Sequence, residues 1–298
     1  MKKTLLMIFI TSFLFSTIEI SLKPIGLQID PFQINLTRTC LGVLVLLPFV
    51  LKELKQREIH LGKKDWAYFC LLGFLNIIGS MSFLQLAIVY AEASIVAIIF
   101  CANPVFTVLF SKFILKNQMS LQKWLALLIC VAGLLVILNP LQLSMEDAAG
   151  MILALMAAIC FALYSTFAKI KMDYYGGILE TGMGLITGGG FLLLFFLFTQ
   201  RPINFDLTAS EIMILLYVGV VATGIGFLLY FLIIEQNNPE TASVVFFLKP
   251  VIAPILAILI LGDKILFNEW IGICLIIVGS YFNLNKKALK MNNKGEEL

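Results

Sequence analysis

Stretches of roughly 20 consecutive apolar residues recur along this chain, and no other feature limits its fold as strongly. Bounded by polar or charged residues, they fall at about 4–21, 32–51, 66–88, 93–114, 123–139, 148–170, 176–199, 211–234, 241–261 and 269–285. A bilayer core is about 30 Å thick, so a helix rising about 1.5 Å per residue needs about 20 residues to cross it. The runs lack the polar/apolar alternation of barrel strands. Lipid offers the backbone no partners, so each run is expected as a helix. Composition agrees. The chain is 60% hydrophobic and 13% charged, whereas soluble domains are about a quarter charged, so it could not coat a soluble surface. The expected class is an all-α integral membrane protein with ten transmembrane helices.

The N-terminal "MKKTLLMIFITSFLFSTIEIS" begins like a signal peptide but lacks an A-x-A-like cleavage site, and its apolar part is long enough to span. It is read as the first span. With the N-terminus inside, sixteen Lys and Arg residues fall in cytoplasmic segments and three, Lys23, Arg201 and Lys264, fall outside. This bias puts both termini in the cytoplasm of a multi-pass protein of the cytoplasmic (inner) membrane. It also accounts for the small positive net charge, so no nucleic-acid partner is expected. The basic connection from Lys52 to Asp65 belongs near anionic headgroups. The six cysteines lie in apolar runs with no C-x-x-C pair, and His60 is the single histidine. That leaves no donor set for a metal, and no cofactor is expected.

The two halves repeat. A shift of 146 carries Pro104 onto Pro250, Val105 onto Val251, Leu115 onto Leu261, Trp124 onto Trp270 and Gly133 onto Gly279. Upstream, "LFST" at Leu14–Thr17 matches "LYST" at Leu163–Thr166 at a shift of 149. The expected organisation is a five-helix unit at 1–139, a second at 148–285, and a polar cytoplasmic tail at 286–298. Five is odd, so the second unit enters the membrane from the opposite side. Inverted repeats of this kind are a signature of secondary transporters, with the substrate near the midplane between units.

The segments "NPVFTVLFSKFILKNQMSLQKW" followed by "CVAGLLVI", and "KPVIAPILAILILGDKILFNEW" followed by "IIVGSYF", resemble the EamA-type drug/metabolite transporter family over nearly the whole chain. The resemblance implies two five-helix repeats, each with a Pro-containing fourth helix and a Gly-containing fifth, and export of amino acids and other small metabolites. Asn103 and Lys249 stand before the prolines where acidic residues are common in that family. The resemblance therefore assigns the substrate no charge.

Pro104 and Pro250 are expected to kink helices four and nine, because each lacks an N–H and frees a carbonyl one turn earlier. Lys249 falls at mid-span, where a lysine costs about 2.5–3.5 kcal/mol on insertion scales. It is expected to face an aqueous cavity; the alternative is a structural lysine holding kink carbonyls or a buried acid. Asn103 and Gln85 suit either substrate contact or interhelical hydrogen bonding. Ser16, Tyr164 and Tyr230 are candidates for the cavity wall, with plain packing the alternative. Glu19 with Arg38, and Lys169 with Glu180, are expected to pair as gates or struts at opposite ends; helix-end snorkelling is the alternative. "TGMGLITGGG" at Thr181–Gly190 lacks the phosphate-loop pattern, and its Gly184 and Gly188 suit close helix packing. Trp124 and Trp270 suit interfacial anchoring.

These features favour a gradient-driven transporter of small metabolites, either a uniporter or a proton-linked exchanger. A membrane-embedded lipid-linked transferase would need paired carboxylates, and the six aspartates are scattered singly. A non-transporting membrane protein gives the inverted repeat no use.

Overall fold

Asp30 and Pro31 open one long helix of the chain. The Asp30 carboxylate accepts from the N–H groups of Phe32 at 2.8 Å and Gln33 at 3.2 Å, and Pro31 takes the first helical position, where its missing donor costs nothing. The other helices of the computed structural model follow from similar local signals. The structure describes residues 2–26, 28–116, 121–138, 145–237, 239–242, 245–262 and 266–283. The 286–298 tail and the junction at 139–144 lie outside the described residues.

The helices are α1 (Lys2–Ser16), α2 (Ile18–Leu22), α3 (Pro31–Gln56), α4 (Lys63–Gly73), α5 (Ser82–Tyr90), α6 (Ala93–Phe100), α7 (Asn103–Ile114), α8 (Leu121–Leu138), α9 (Met145–Thr199), α10 (Ala209–Leu216), α11 (Gly226–Gln236), α12 (Pro239–Ala242), α13 (Val245–Leu261) and α14 (Phe267–Asn283). Two π-helical segments, Phe74–Met81 and Tyr217–Ile225, join α4 to α5 and α10 to α11. Among the described residues six helical segments are long and apolar enough to cross a membrane: Thr4–Leu22, Pro31–Gln56, Lys63–Tyr90, Ala93–Ile114, Ala148–Thr199 and Ala209–Gln236. Shorter apolar helices run over Trp124–Ile137, Ile252–Leu261 and Phe267–Gly279. Large apolar side chains such as Phe198, Phe205, Leu259 and Phe267 stand exposed around the outside, as a lipid-facing surface requires. The protein is a multi-pass, all-helical membrane protein.

Two breaks differ from expectation. Helices six and seven run together through α9, interrupted only at Gly176, whose φ of 75° and ψ of 164° turn the chain without a separate loop. Glycine is needed there, because an added Cβ would also sit 2.7 Å from Arg57 Nη2. In the fourth span the break comes at Cys101–Ala102, and Pro104 lies in the first turn of α7 rather than at a kink. At that position the absent N–H has no intrahelical partner to lose. Pro250, by contrast, lies inside α13, with Pro254 one turn further on.

The two halves are laced together by glycine crossings that obey the repeat. A Cβ on Gly73 would lie 2.4 Å from Gly188 N and 2.9 Å from Gly184 O, and one on Gly219 would lie 2.6 Å from Leu41 Cβ and 3.2 Å from Arg38 Cα. A shift of 146 carries Gly73 to Gly219, Arg38 to Gly184 and Gly42 to Gly188. Each half thus sends its third rod across the second helix of the other half at the same height in the repeat. The π-helical segments lie at these same crossings. They widen the turn and re-aim the side chains that follow. In α8 and α14, Gly133 approaches Gly272 so closely that a Cβ would stand 2.8 Å from Gly272 O, and Asn268 donates to Val136 O at 3.3 Å. As residue number rises along α8, its partner's falls along α14, so these equivalent helices run antiparallel.

Candidate substrate site

Phe15 on α1, Phe100 on α6, Phe161 on α9, Phe227 on α11 and Phe246 on α13 converge where the two halves meet. Phe161 stands between them, its ring centroid 5.7 Å from Phe100, 5.8 Å from Phe227 and 5.7 Å from Phe246, while Phe15 lies 5.4 Å from Phe227 and 6.0 Å from Phe246. The tilted and edge-on geometries are those that aromatic quadrupoles favour. Four of these rings, with Ile18, Met81, Leu84 and Lys249, line a narrow cavity of about 10 Å³. That is room for about one water, whereas sites that hold small organic ligands run to roughly 300–1,000 Å³.

Lys249 reaches this cavity from α13 and is 1% exposed. Its Nζ donates to Glu19 Oε1 at 2.5 Å and stands 4.7 Å from the centre of the Phe100 ring. Glu19 is fully buried on α2, after the short interruption at Thr17, and its Oε2 has no partner. Each charge is buried with an opposite charge beside it, which is the condition for an ionised pair to survive in a low-dielectric interior.

The expected Glu19–Arg38 pairing is thus replaced by Glu19–Lys249. Arg38 is 1% exposed; its Nη2 donates to Met81 Sδ at 2.6 Å, and its Nε and Nη1 have no partner among the described residues. At the other end Lys169 and Glu180 are not paired either. Lys169 turns back along its own helix to Asp173 at 3.4 Å, while buried Glu180 accepts from the Tyr68 hydroxyl at 2.9 Å.

The remaining candidates separate. Asn103 donates to Ala158 O at 3.0 Å and accepts from Thr107 at 3.1 Å, so its amide links α7 to α9. Ser16 donates to Ser12 O at 2.6 Å within α1. Tyr230 joins the aromatic wall, 5.3 Å from Phe161, and Tyr164 packs 4.9 Å from Phe231 outside the cavity. The Tyr164 hydroxyl is buried beside Asn76 and that of Tyr230 beside Ser165. Gln85 is buried one turn beyond Met81, and neither amide atom has a partner among the described residues. Met81, Leu84, Phe100, Phe161 and Phe227 were not legible as cavity residues, because an apolar residue facing a cavity and one facing lipid look alike in a sequence.

An arginine links the two halves at each end. Arg201, after α9, bonds the Asp30 cap of α3 at 2.6 Å, and Gln33 exchanges two bonds with the Asn204 backbone at 2.6 and 2.9 Å. At the opposite end Arg57, after α3, reaches Tyr174 O at 3.5 Å and Glu235 at 3.7 Å, and Glu235 accepts from Gly177 N at 2.9 Å. These two clamps are inverted counterparts: each joins the end of one half's second helix to the start of the other's.

Comparison with known proteins fits this architecture. The model of the EamA-like transporter family matches residues 2–139 and again 148–285. An "Uncharacterized transporter" of Clostridium kluyveri is 37% identical over 297 residues, covering 97% of this chain and 96% of that protein. The "Uncharacterized transporter YoaV" of Bacillus subtilis is 24% identical, covering 86% of this chain and 88% of that one. The "Uncharacterized inner membrane transporter YicL" of Salmonella typhimurium is 27% identical, covering 47% of this chain and 45% of that one. One solved crystal structure superposes with a TM-score of 0.71 at 18% identity, covering 95% of this chain and 97% of that chain, a likeness of fold alone. With both halves matched separately and a relative similar from end to end, this chain belongs to the EamA-like transporter family.

Proposed function

We propose that this membrane transporter is a secondary transporter of ten spans that moves small metabolites, amino acids or related solutes, outward across the cytoplasmic membrane, with both termini inside. Transport proceeds by alternating access between two inverted five-helix repeats. The observation that carries this reading is the paired glycine crossing, Gly73 against Gly184 and Gly188, and Gly219 against Arg38 and Gly42, related by one shift of 146. Two halves that cross each other identically from opposite sides can exchange conformations, giving outward-open and inward-open states as near mirror images. The closed cavity with the Lys249–Glu19 pair is the state between them. Arg201–Asp30 is the outer gate and Arg57 with Glu235 the inner gate. Half-exposed ion pairs of this type are worth about 0–1 kcal/mol, so either gate opens at small cost.

Uniport and proton-linked exchange both suit this site. The test is reconstitution of the full chain into liposomes with labelled amino acids, nucleosides and organic cations, with and without a pH gradient. Saturable flux that responds to the gradient supports exchange, and flux indifferent to it supports uniport. Absence of flux for every solute contradicts the transport of this class of metabolite.

A further inference from the structure

The buried charges around the cavity do not cancel. Among the described residues there, Arg38 and Lys249 are cationic side chains and Glu19 is an anionic one, each 1% exposed or less, leaving one positive charge in excess. Lys249 holds Glu19 at 2.5 Å. Among the described residues Arg38 makes no ion pair, its Nε and Nη1 have no partner, and its Nη2 meets the Met81 thioether, a weak acceptor. Met81 itself lines the cavity, so a single thioether separates the guanidinium from it. Methionine is unbranched and swings aside easily. Gln85, one turn on from Met81 and so on the same helical face, holds a buried amide that has no partner among the described residues.

We infer that Arg38, with Gln85 beside it, is the anion subsite of the transport cavity, and that the substrate is a monoanionic carboxylate with an apolar body. This deepens the transporter reading and rests on it. The guanidinium fork matches a carboxylate, which takes the place of the Met81 sulfur. One negative charge neutralises the excess. A zwitterion leaves the excess in place, an organic cation doubles it, and a phosphate monoester near its dianionic form overshoots it. The apolar body lies against Phe15, Phe100, Phe161 and Phe227, beside Lys249, which is already paired with Glu19.

The test uses the purified full chain and three probes that share one ring but differ in charge: phenylacetate, phenylalanine and phenethylamine. The expected result is a saturable rise in thermal midpoint with phenylacetate, at a concentration at least tenfold below that needed for the other two. Arg38→Lys should weaken this binding about tenfold and Arg38→Gln should abolish it. Gln85→Leu, which keeps all buried charges, should weaken it severalfold and serves if the Arg38 variants do not fold. Equal or tighter binding of phenylalanine or phenethylamine overturns the inference, as does absence of saturable phenylacetate binding, or binding unchanged in Arg38→Gln. Uptake of the same probes into liposomes separates the two readings. Phenylacetate binding without flux upholds the anion subsite and contradicts transport; flux of phenylalanine in preference to phenylacetate does the reverse.

Discussion

Lys249 and Glu19 set the energetics at the scale of single residues. Removing one member of a buried pair strands the other charge, at a cost of about 3–5 kcal/mol. Lys249→Met alone is therefore expected to lower stability by about 3 kcal/mol or more and to abolish transport. Glu19→Gln together with Lys249→Met should recover most of the stability while transport stays lost. Unfolding of detergent-solubilised protein and liposome uptake, run on the same preparations, check both outcomes. If the double variant is as unstable as the single one, the pairing at 2.5 Å does not represent the folded protein. Arg38 faces the Met81 sulfur instead of a carboxylate, with Nε and Nη1 unpartnered among the described residues, so its burial costs stability that a bound anion would recover.

The glycine crossings govern the elements. Gly73→Ala would press a methyl carbon against Thr187 Oγ1 at 2.3 Å and Gly188 N at 2.4 Å, and overpacking of that kind costs about 1–3 kcal/mol. Gly190→Ala, two residues past the crossing, meets nothing within 4 Å and should leave the midpoint within about 0.5 kcal/mol of the parent. Thermal midpoints of the two variants check this contrast, and equal loss in both would argue against the crossing. Much at this scale was legible from the chain. Apolar run lengths placed the helices to within a few residues, and the Gly184/Gly188 spacing marked a packing face. The partner face on α4 was not legible, because Gly73 and Gly79 lie six residues apart and lack the four-residue spacing of Gly184 and Gly188. The π-helical segments also left no sequence signal, since they contain ordinary span residues. Glu19, Arg38 and Lys249 could be ranked by depth from their positions, but the choice of partner depends on how each helix is rotated. That rotation is set by packing between halves, which single-run patterns do not record. The Pro104 kink failed for a local reason: the chain breaks at Cys101–Ala102 and begins α7 afresh, so the proline opens a helix instead of bending one.

For the whole molecule, an arginine clamp joins the two halves at each end. The clamps are similar in chemistry and opposite in placement, so weakening either should bias the protein to one side. Arg201→Gln should favour the form open at the Asp30 end, and Arg57→Gln the form open at the Glu235 end. The expected effect is several-fold, because a partly exposed ion pair is worth about 1 kcal/mol or less. Leu84 lines the cavity and carries no charge, so a cysteine there reports access and leaves the Lys249–Glu19 pair in place. The most direct measurement is the rate at which a membrane-impermeant thiol reagent modifies Leu84→Cys, in a chain with its other cysteines replaced, applied to one side of sealed vesicles at a time. The expected result is slow labelling from each side, sped up on the outside by Arg201→Gln and on the inside by Arg57→Gln. Labelling from one side only, unchanged by either substitution, would contradict alternating access to this cavity.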